Sequence, residues 1–162
     1  MAWAKNGTPD TLASELDDMD ITDLTAYKFN MFMIHKLATG NAKMELTLDN
    51  TTGNDYTYRE SKDGATDTTG TSQANLLAIH AGKSNDDFTI IYGINIDSEE
   101  KLLYIHTVGA GTTGAASAPE RREYVGKFDT STVTAQYTRI DINNSDTGGY
   151  LTSSNISAIG TD

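Results

Sequence analysis

Asp87-Phe88-Thr89-Ile90-Ile91-Tyr92-Gly93-Ile94-Asn95-Ile96-Asp97 is the stretch that decides the fold class. Successive side chains of a strand point to opposite sides. Phe88, Ile90, Tyr92, Ile94 and Ile96 therefore share one face, and Thr89, Ile91, Gly93 and Asn95 share the other. β-branched and aromatic residues in period two are strand signals. Downstream, Ser98-Glu99-Glu100 turns the chain into Lys101 to Val108, where Leu102, Tyr104, His106 and Val108 alternate with Leu103 and Ile105. Upstream, Tyr27 to Leu37 places Tyr27, Phe29, Met31, Met33, His35 and Leu37 on one face. Lys28, Asn30, Phe32, Ile34 and Lys36 take the other. A strand apolar on one face and mixed on the other is expected at the centre of its sheet.

The rest of the chain repeats this grammar. Thr39-Gly40-Asn41 is a turn signal, and Lys43 to Asp49 then alternates, with Met44, Leu46 and Leu48 inward and Lys43, Glu45 and Thr47 outward. The runs 27–37 and 43–49 read as a hairpin. Tyr56 to Arg59, Asn75 to His80, Arg121 to Phe128, Val133 to Ile142 and Asn155 to Ile159 supply further strands. Residues 50–55, 61–72 and 109–118 read as loops, and the middle one has no core-forming side chain, which suits a surface excursion or a contact arm. Eight to ten short strands at regular spacing predict an all-β, single-domain antiparallel β-sandwich, jelly-roll-like. Residues 1–20 read as an N-terminal arm or short helix, with Leu12, Leu16 and Met19 at helical spacing, and 21–162 as the sandwich domain.

Composition points the same way. The 162 residues include 24 Thr, 11 Ser, 11 Asn and 14 Gly, residues that favour strands and turns over helix interiors. No apolar run approaches the ~18–20 residues of a membrane-spanning helix. The absence of cysteine removes disulfides, thiolate zinc sites and cysteine nucleophiles. A net charge of −11 argues against nucleic acid as a partner.

No motif carries a reaction. Gly82-Lys83-Ser84 resembles the tail of a phosphate-binding loop, but Leu77 stands where that motif needs glycine. Ser98-Glu99-Glu100-Lys101 has the Ser-x-x-Lys spacing of penicillin-recognising enzymes without their partner motifs. His35, His80 and His106 show no metal-ligand spacing. Asp141 to Gly148 has oxygen side chains at alternate positions, but Asp146 and Thr152 replace the glycine and glutamate of a calcium loop. No cofactor is expected; an incidental Ca²⁺ site among Asp63, Asp67, Asp86 and Asp87 stays open. Asn6, Asn50, Asn143 and Asn155 begin Asn-x-Ser/Thr triplets, as a chain this rich in those residues does by chance. Pro119-Glu120-Arg121-Arg122-Glu123 is the one dense charge cluster, either a solvated strand edge or a salt-bridged contact with a neighbouring subunit. Eight tyrosines outnumber Phe and Trp together and serve either as half-buried strand residues or as sugar-stacking platforms.

Three phrases also carry a resemblance: Leu48-Asp49-Asn50-Thr51-Thr52-Gly53-Asn54-Asp55-Tyr56-Thr57-Tyr58-Arg59, Ala118-Pro119-Glu120-Arg121-Arg122-Glu123-Tyr124-Val125-Gly126-Lys127-Phe128, and Thr138-Arg139-Ile140-Asp141-Ile142-Asn143-Asn144-Ser145-Asp146-Thr147-Gly148-Gly149-Tyr150. With the opening Met1-Ala2-Trp3 and the ending Ile159-Gly160-Thr161-Asp162, their order resembles that of small β-rich virion structural proteins of tailed bacterial and archaeal viruses, of the marine phage type. The resemblance implies no catalytic residue and no enzyme. It implies a subunit on the exterior of a virion assembled in the host cytoplasm, where a missing disulfide framework costs nothing. Such a subunit is a capsid decoration protein or a tail or fibre component, acting by self-association as a trimer or higher oligomer and by docking on other virion proteins. The expected contacts are Trp3 on the arm, the long loops, and the edge at Arg121, Arg122 and Glu123. Neither nucleic acid nor membrane is expected as a partner. The alternative is a carbohydrate-binding module for a host surface glycan, which requires exposed, coplanar tyrosines beside Asp and Asn.

Overall fold

The computed structural model describes residues 2–76, 86–111, 114–129 and 135–162. Among them are twelve strands and no helix: β1 (Ala4–Lys5), β2 (Asp10–Thr11), β3 (Asp18–Ile21), β4 (Phe29–Lys36), β5 (Glu45–Leu48), β6 (Tyr56–Lys62), β7 (Thr68–Gln73), β8 (Asp87–Ile94), β9 (Lys101–Gly109), β10 (Glu120–Phe128), β11 (Ile140–Asn143) and β12 (Asn155–Thr161). The predicted all-β sandwich is what forms, with two sheets of unequal size. One has nine strands in the order β1-β12-β4-β8-β9-β10-β6-β7, with β2 also on β12; the other is β3-β11-β5. Every pairing is antiparallel.

Residues 11–20 take the extended form. β1 and β2 lie along β12, and β3 pairs β11 in the small sheet. Asn6 ties this segment down. Its Nδ2 donates to Asn30 Oδ1 at 2.7 Å, and its Oδ1 accepts from Thr25 N at 2.7 Å.

The hairpin expected between 27–37 and 43–49 does not form. β4 lies between β12 and β8 in the large sheet, while β5 pairs β11 in the small one. The intervening segment carries the chain from one sheet to the other, because β4 finds long partners on both sides, β12 and β8. The expected loop at 61–72 is instead the end of β6 and a second strand, β7, which pair as a hairpin. β7 is a Thr-rich edge strand with no buried residue, so it left no hydrophobic pattern to read. At 75–80 the described part is an isolated bridge between Leu76 and Leu46; His80, the 77–80 end of that expected strand, Gly82-Lys83-Ser84 and Val133 lie outside the described residues. The strand expected from 133 to 142 is confined to β11 in the described part.

One core fills the space between the sheets. Phe32, Ile34, Ile91, Leu103, Ile105, Tyr124 and Phe128 of the large sheet meet Met19, Ile21, Leu46, Leu48, Ile140 and Ile142 of the small one. Tyr56 links the layers: its ring stacks on Phe128 at 4.8 Å, and its Oη accepts from Leu48 N at 2.8 Å.

The core is also unusually polar on its large-sheet side. Lys36, Asp87, Thr89, Asn95, Lys101, Thr107 and Asn30 are all buried, and each has partners, as buried polar groups require. Thr89 and Thr107 share a 2.8 Å hydrogen bond between hydroxyls. Asn95 brackets the backbone of Tyr137, donating to its O at 3.0 Å and accepting from its N at 2.8 Å. Lys101 Nζ donates to the carbonyls of Ile96 at 2.5 Å and Glu99 at 2.7 Å.

Candidate functional site

That polar inner lining has a consequence for the opposite face. In β4, β8 and β9 the buried positions are Asn30, Phe32, Ile34 and Lys36, then Asp87, Thr89, Ile91 and Gly93, then Lys101, Leu103, Ile105 and Thr107. The alternating positions, which point away from the core, carry the larger apolar side chains. Cross-strand register arranges them in rows. Met31, Tyr92 and Tyr104 lie side by side, and Val125 of β10 continues that row to Arg59 of β6. A second row holds Met33, Ile90, His106 and Glu123, and a third His35, Phe88, Val108 and Arg121.

Phe88, Tyr92, Leu102, Tyr104, Val108 and Val125 are 42–52% exposed. A sandwich sheet with one free face normally alternates apolar inside with polar outside; here the free face is apolar. Tyr92 and Tyr104 stack with ring centroids 6.4 Å apart and planes inclined by 26°. Over this region runs a groove of about 1070 Å³, from Trp3 at one edge of the sheet past Phe29, Leu102 and Tyr104 to Thr69 and Thr71 of β7.

The charges segregate. On the free face of the large sheet stand Arg59, Arg121 and Lys127, with Glu123 among them; Arg59 contacts Asp67 at 3.5 Å and Lys127 contacts Glu100 at 2.8 Å. The small-sheet positions that face away from the core are Asp20–Asp141–Thr47 and Asp18–Asn143–Glu45, of which Asp141 and Thr47 are buried. Burial pushes the Asp20 carboxyl above the ordinary range, opposed by the Arg139 guanidinium 2.9 Å away.

Of the residues the sequence marks as contacts, Trp3, Arg121 and Glu123 are on or at the rim of this free face. Trp3 is exposed beside Thr161, Arg121 is exposed opposite Val108, and Glu123 lies between Ser61 and His106. Arg122 points the other way. It is buried, with Nη1 3.1 Å from Glu60 Oε1, and the same carboxylate accepts from Tyr124 Oη at 2.9 Å. Its role is inside the β6–β10 layer.

His35 and His106 sit in different rows two strands apart, bordered by Phe88 and Ile90. His106 Nε2 is buried with no hydrogen-bond partner among the described residues. Among the described residues no three His, Asp or Glu side chains gather to hold a metal ion. Asp63 accepts from Arg121 N at 2.7 Å and Asp87 pairs with Lys36. In the turn at 141–148, Asp141 is held by Arg139, and Asp146 contacts Lys43 at 3.2 Å.

Sequence reasoning did not single out Tyr92, Leu102, Tyr104 and Val125 as a surface. The signal was present: between Asp87 and Asp97 neither face of the strand carries a charge, so a two-layer sandwich leaves one apolar face without a layer to cover it. The chain matches no family model, no curated protein and no solved structure.

Proposed function

We propose that this chain is a structural subunit on the exterior of a virus particle, a capsid decoration protein or a tail or fibre component. It works without catalysis, by protein–protein association. The observation that carries the association is the apolar free face of the nine-stranded sheet, centred on Tyr92 and Tyr104, on a chain that is acidic elsewhere. Contiguous apolar patches beyond a few hundred Å² are rare on monomers and mark interaction surfaces. The viral setting rests on the resemblance of the 48–59, 118–128 and 138–150 phrases. Purified particles imaged to count copies test it: hundreds on the shell indicate decoration, three or six at a vertex or tail tip indicate a fibre component, and absence of the chain from the particles overturns the reading.

The stacked Tyr92–Tyr104 pair also favours a second reading, a glycan platform. Its cross-strand neighbours Met31 and Val125 offer no hydrogen-bonding side chain for a sugar, so it ranks below association. A glycan array, with Tyr92→Ala and Tyr104→Ala as controls, decides it.

A further inference from the structure

We infer that the occupant of the free face is a second copy of this chain, packed sheet against sheet about a two-fold axis near Tyr92 and Tyr104. The inference rests on the association half of the proposal above and names its partner. Three observations carry it.

The first is size. The outward apolar residues fill β4, β8 and β9, and β12 and β10 flank them with one each, Ile159 and Val125, among polar side chains that form a rim. Five strands about 4.8 Å apart, each about eight residues at ~3.4 Å, span roughly 24 by 27 Å. That projected area, with the relief of the side chains added, approaches the ~800 Å² that one partner contributes to a standard stable interface.

The second is chemistry. The backbone of these central strands is fully engaged in the ladders of their neighbours. Recognition here is left to side chains, with an apolar centre at Tyr92, Leu102 and Tyr104 and charged residues towards the edge, the anatomy of a protein–protein interface. Two twisted sheets pack face to face with interdigitating side chains about 10 Å apart, a geometry the inner faces of this same molecule already use.

The third is charge. With a net charge of −11, two copies repel each other through the small-sheet face, where Asp18 and Glu45 stand and a single guanidinium, Arg139, serves both Asp20 and the buried Asp141. On the large-sheet face Arg59 and Lys127 are already paired with Asp67 and Glu100, and Arg121 shares its strand face with Glu123, so this face is close to charge balance and is the approach with less like-charge opposition. A two-fold contact is self-complementary. The pair is then the unit from which any higher order is assembled.

The absence of cysteine makes the test clean. Single substitutions Tyr104→Cys and, on the opposite face, Asp18→Cys are made in the full chain, and each is oxidised or treated with a short bifunctional maleimide. In parallel, light scattering compares the unmodified chain with a Leu102→Glu/Tyr104→Glu variant whose fold is verified by circular dichroism. Expected are a mass twice the 17.5 kDa of one chain, halved by the double substitution, and covalent dimer from Tyr104→Cys in large excess over Asp18→Cys. A monomeric unmodified chain overturns the pairing, as does a dimer that survives the double substitution. So does a chain that binds through this face only to another virion protein. In each of those cases the structural-subunit reading stands; it falls separately if purified particles lack the chain.

Discussion

Lys36 Nζ and Asp87 Oδ2 lie 2.6 Å apart with neither side chain exposed, directly opposite each other across β4 and β8. The ammonium also donates to the carbonyl of Ala42 at 3.3 Å. Taking both charges out of water costs several kcal/mol per ion, offset only while both are present. Lys36→Met alone is expected to destabilise the protein by about 3–5 kcal/mol, and pairing it with Asp87→Leu to recover most of that loss. Urea midpoints at constant slope measure both; a single-variant loss below about 1 kcal/mol would mean that the pair is effectively hydrated.

The inversion of the two faces of β9 is testable at adjacent residues. Ile105 is buried and Tyr104 is half exposed. Ile105→Ala is expected to cost about 2–5 kcal/mol, as a cavity in the core does. Tyr104→Ser, measured at low protein concentration, should stay within about 1 kcal/mol. Equal losses at the two positions would contradict the assignment of faces.

Gly148 sits at φ +97° with a Cβ position that collides with the carbonyl of Thr39 and lies 3.1 Å from Gly40 Cα. Both obstacles are backbone, held by hydrogen bonds from Thr39 N to Gly149 O at 3.0 Å and from Asn41 N to Thr147 O at 2.8 Å. Gly148→Ala should therefore destabilise by more than about 1 kcal/mol, and Gly64→Ala, with φ +78° but open space around it, by less. Thermal unfolding of the two variants side by side checks the order.

Burial pushes the phenols of Tyr56, Tyr124, Tyr137 and Tyr150 well above their ordinary value of 10.0. The folded state keeps these protons longer than the unfolded chain, so their contribution is fully present below pH 10 and is lost as pH rises towards the folded values. Each group adds a slope of about 1.4 kcal/mol per pH unit in that window. Stability should be flat with respect to these groups up to about pH 10 and then fall steeply, with a rise in tyrosinate absorbance coincident with the loss of β-sheet circular dichroism. Ionisation of these four before any unfolding would show that their sites admit water.

The strand pattern was legible where alternation is strong. The runs at 29–36, 87–94, 101–109 and 120–128 are strands in the structure, because period-two patterning survives whichever face is buried. The direction of burial was not legible. Phe88, Ile90, Tyr92 and Ile94 form the more apolar face of β8 and yet look outward, while Asp87 and Thr89 are inside. Hydropathy along one strand records periodicity; satisfaction of Asp87 by Lys36 and of Thr89 by Thr107 depends on neighbours 51 and 18 positions away. The contact residues show the same limit: Arg121 and Arg122 are adjacent in sequence, and alternation sends one to the free face and the other to Glu60.

The outer faces of β4 and β8 are largely apolar and their inner faces mix apolar with polar residues, so hydrophobicity alone scarcely distinguishes one alignment of the two strands from another. A shift by one residue would exchange the faces and put the Lys36 ammonium and the Asp87 carboxylate in different layers. A shift by two would set Lys36 opposite Thr89 and strand Asp87 in the interior without its cation. The ion pair labels the alignment of β4 with β8, and the Thr89–Thr107 contact that of β8 with β9: each adds little to net stability, yet one alignment alone satisfies it. A protein that leaves greasy side chains on its outside needs such labels, because the usual rule of oil inward cannot tell its strands where to stop.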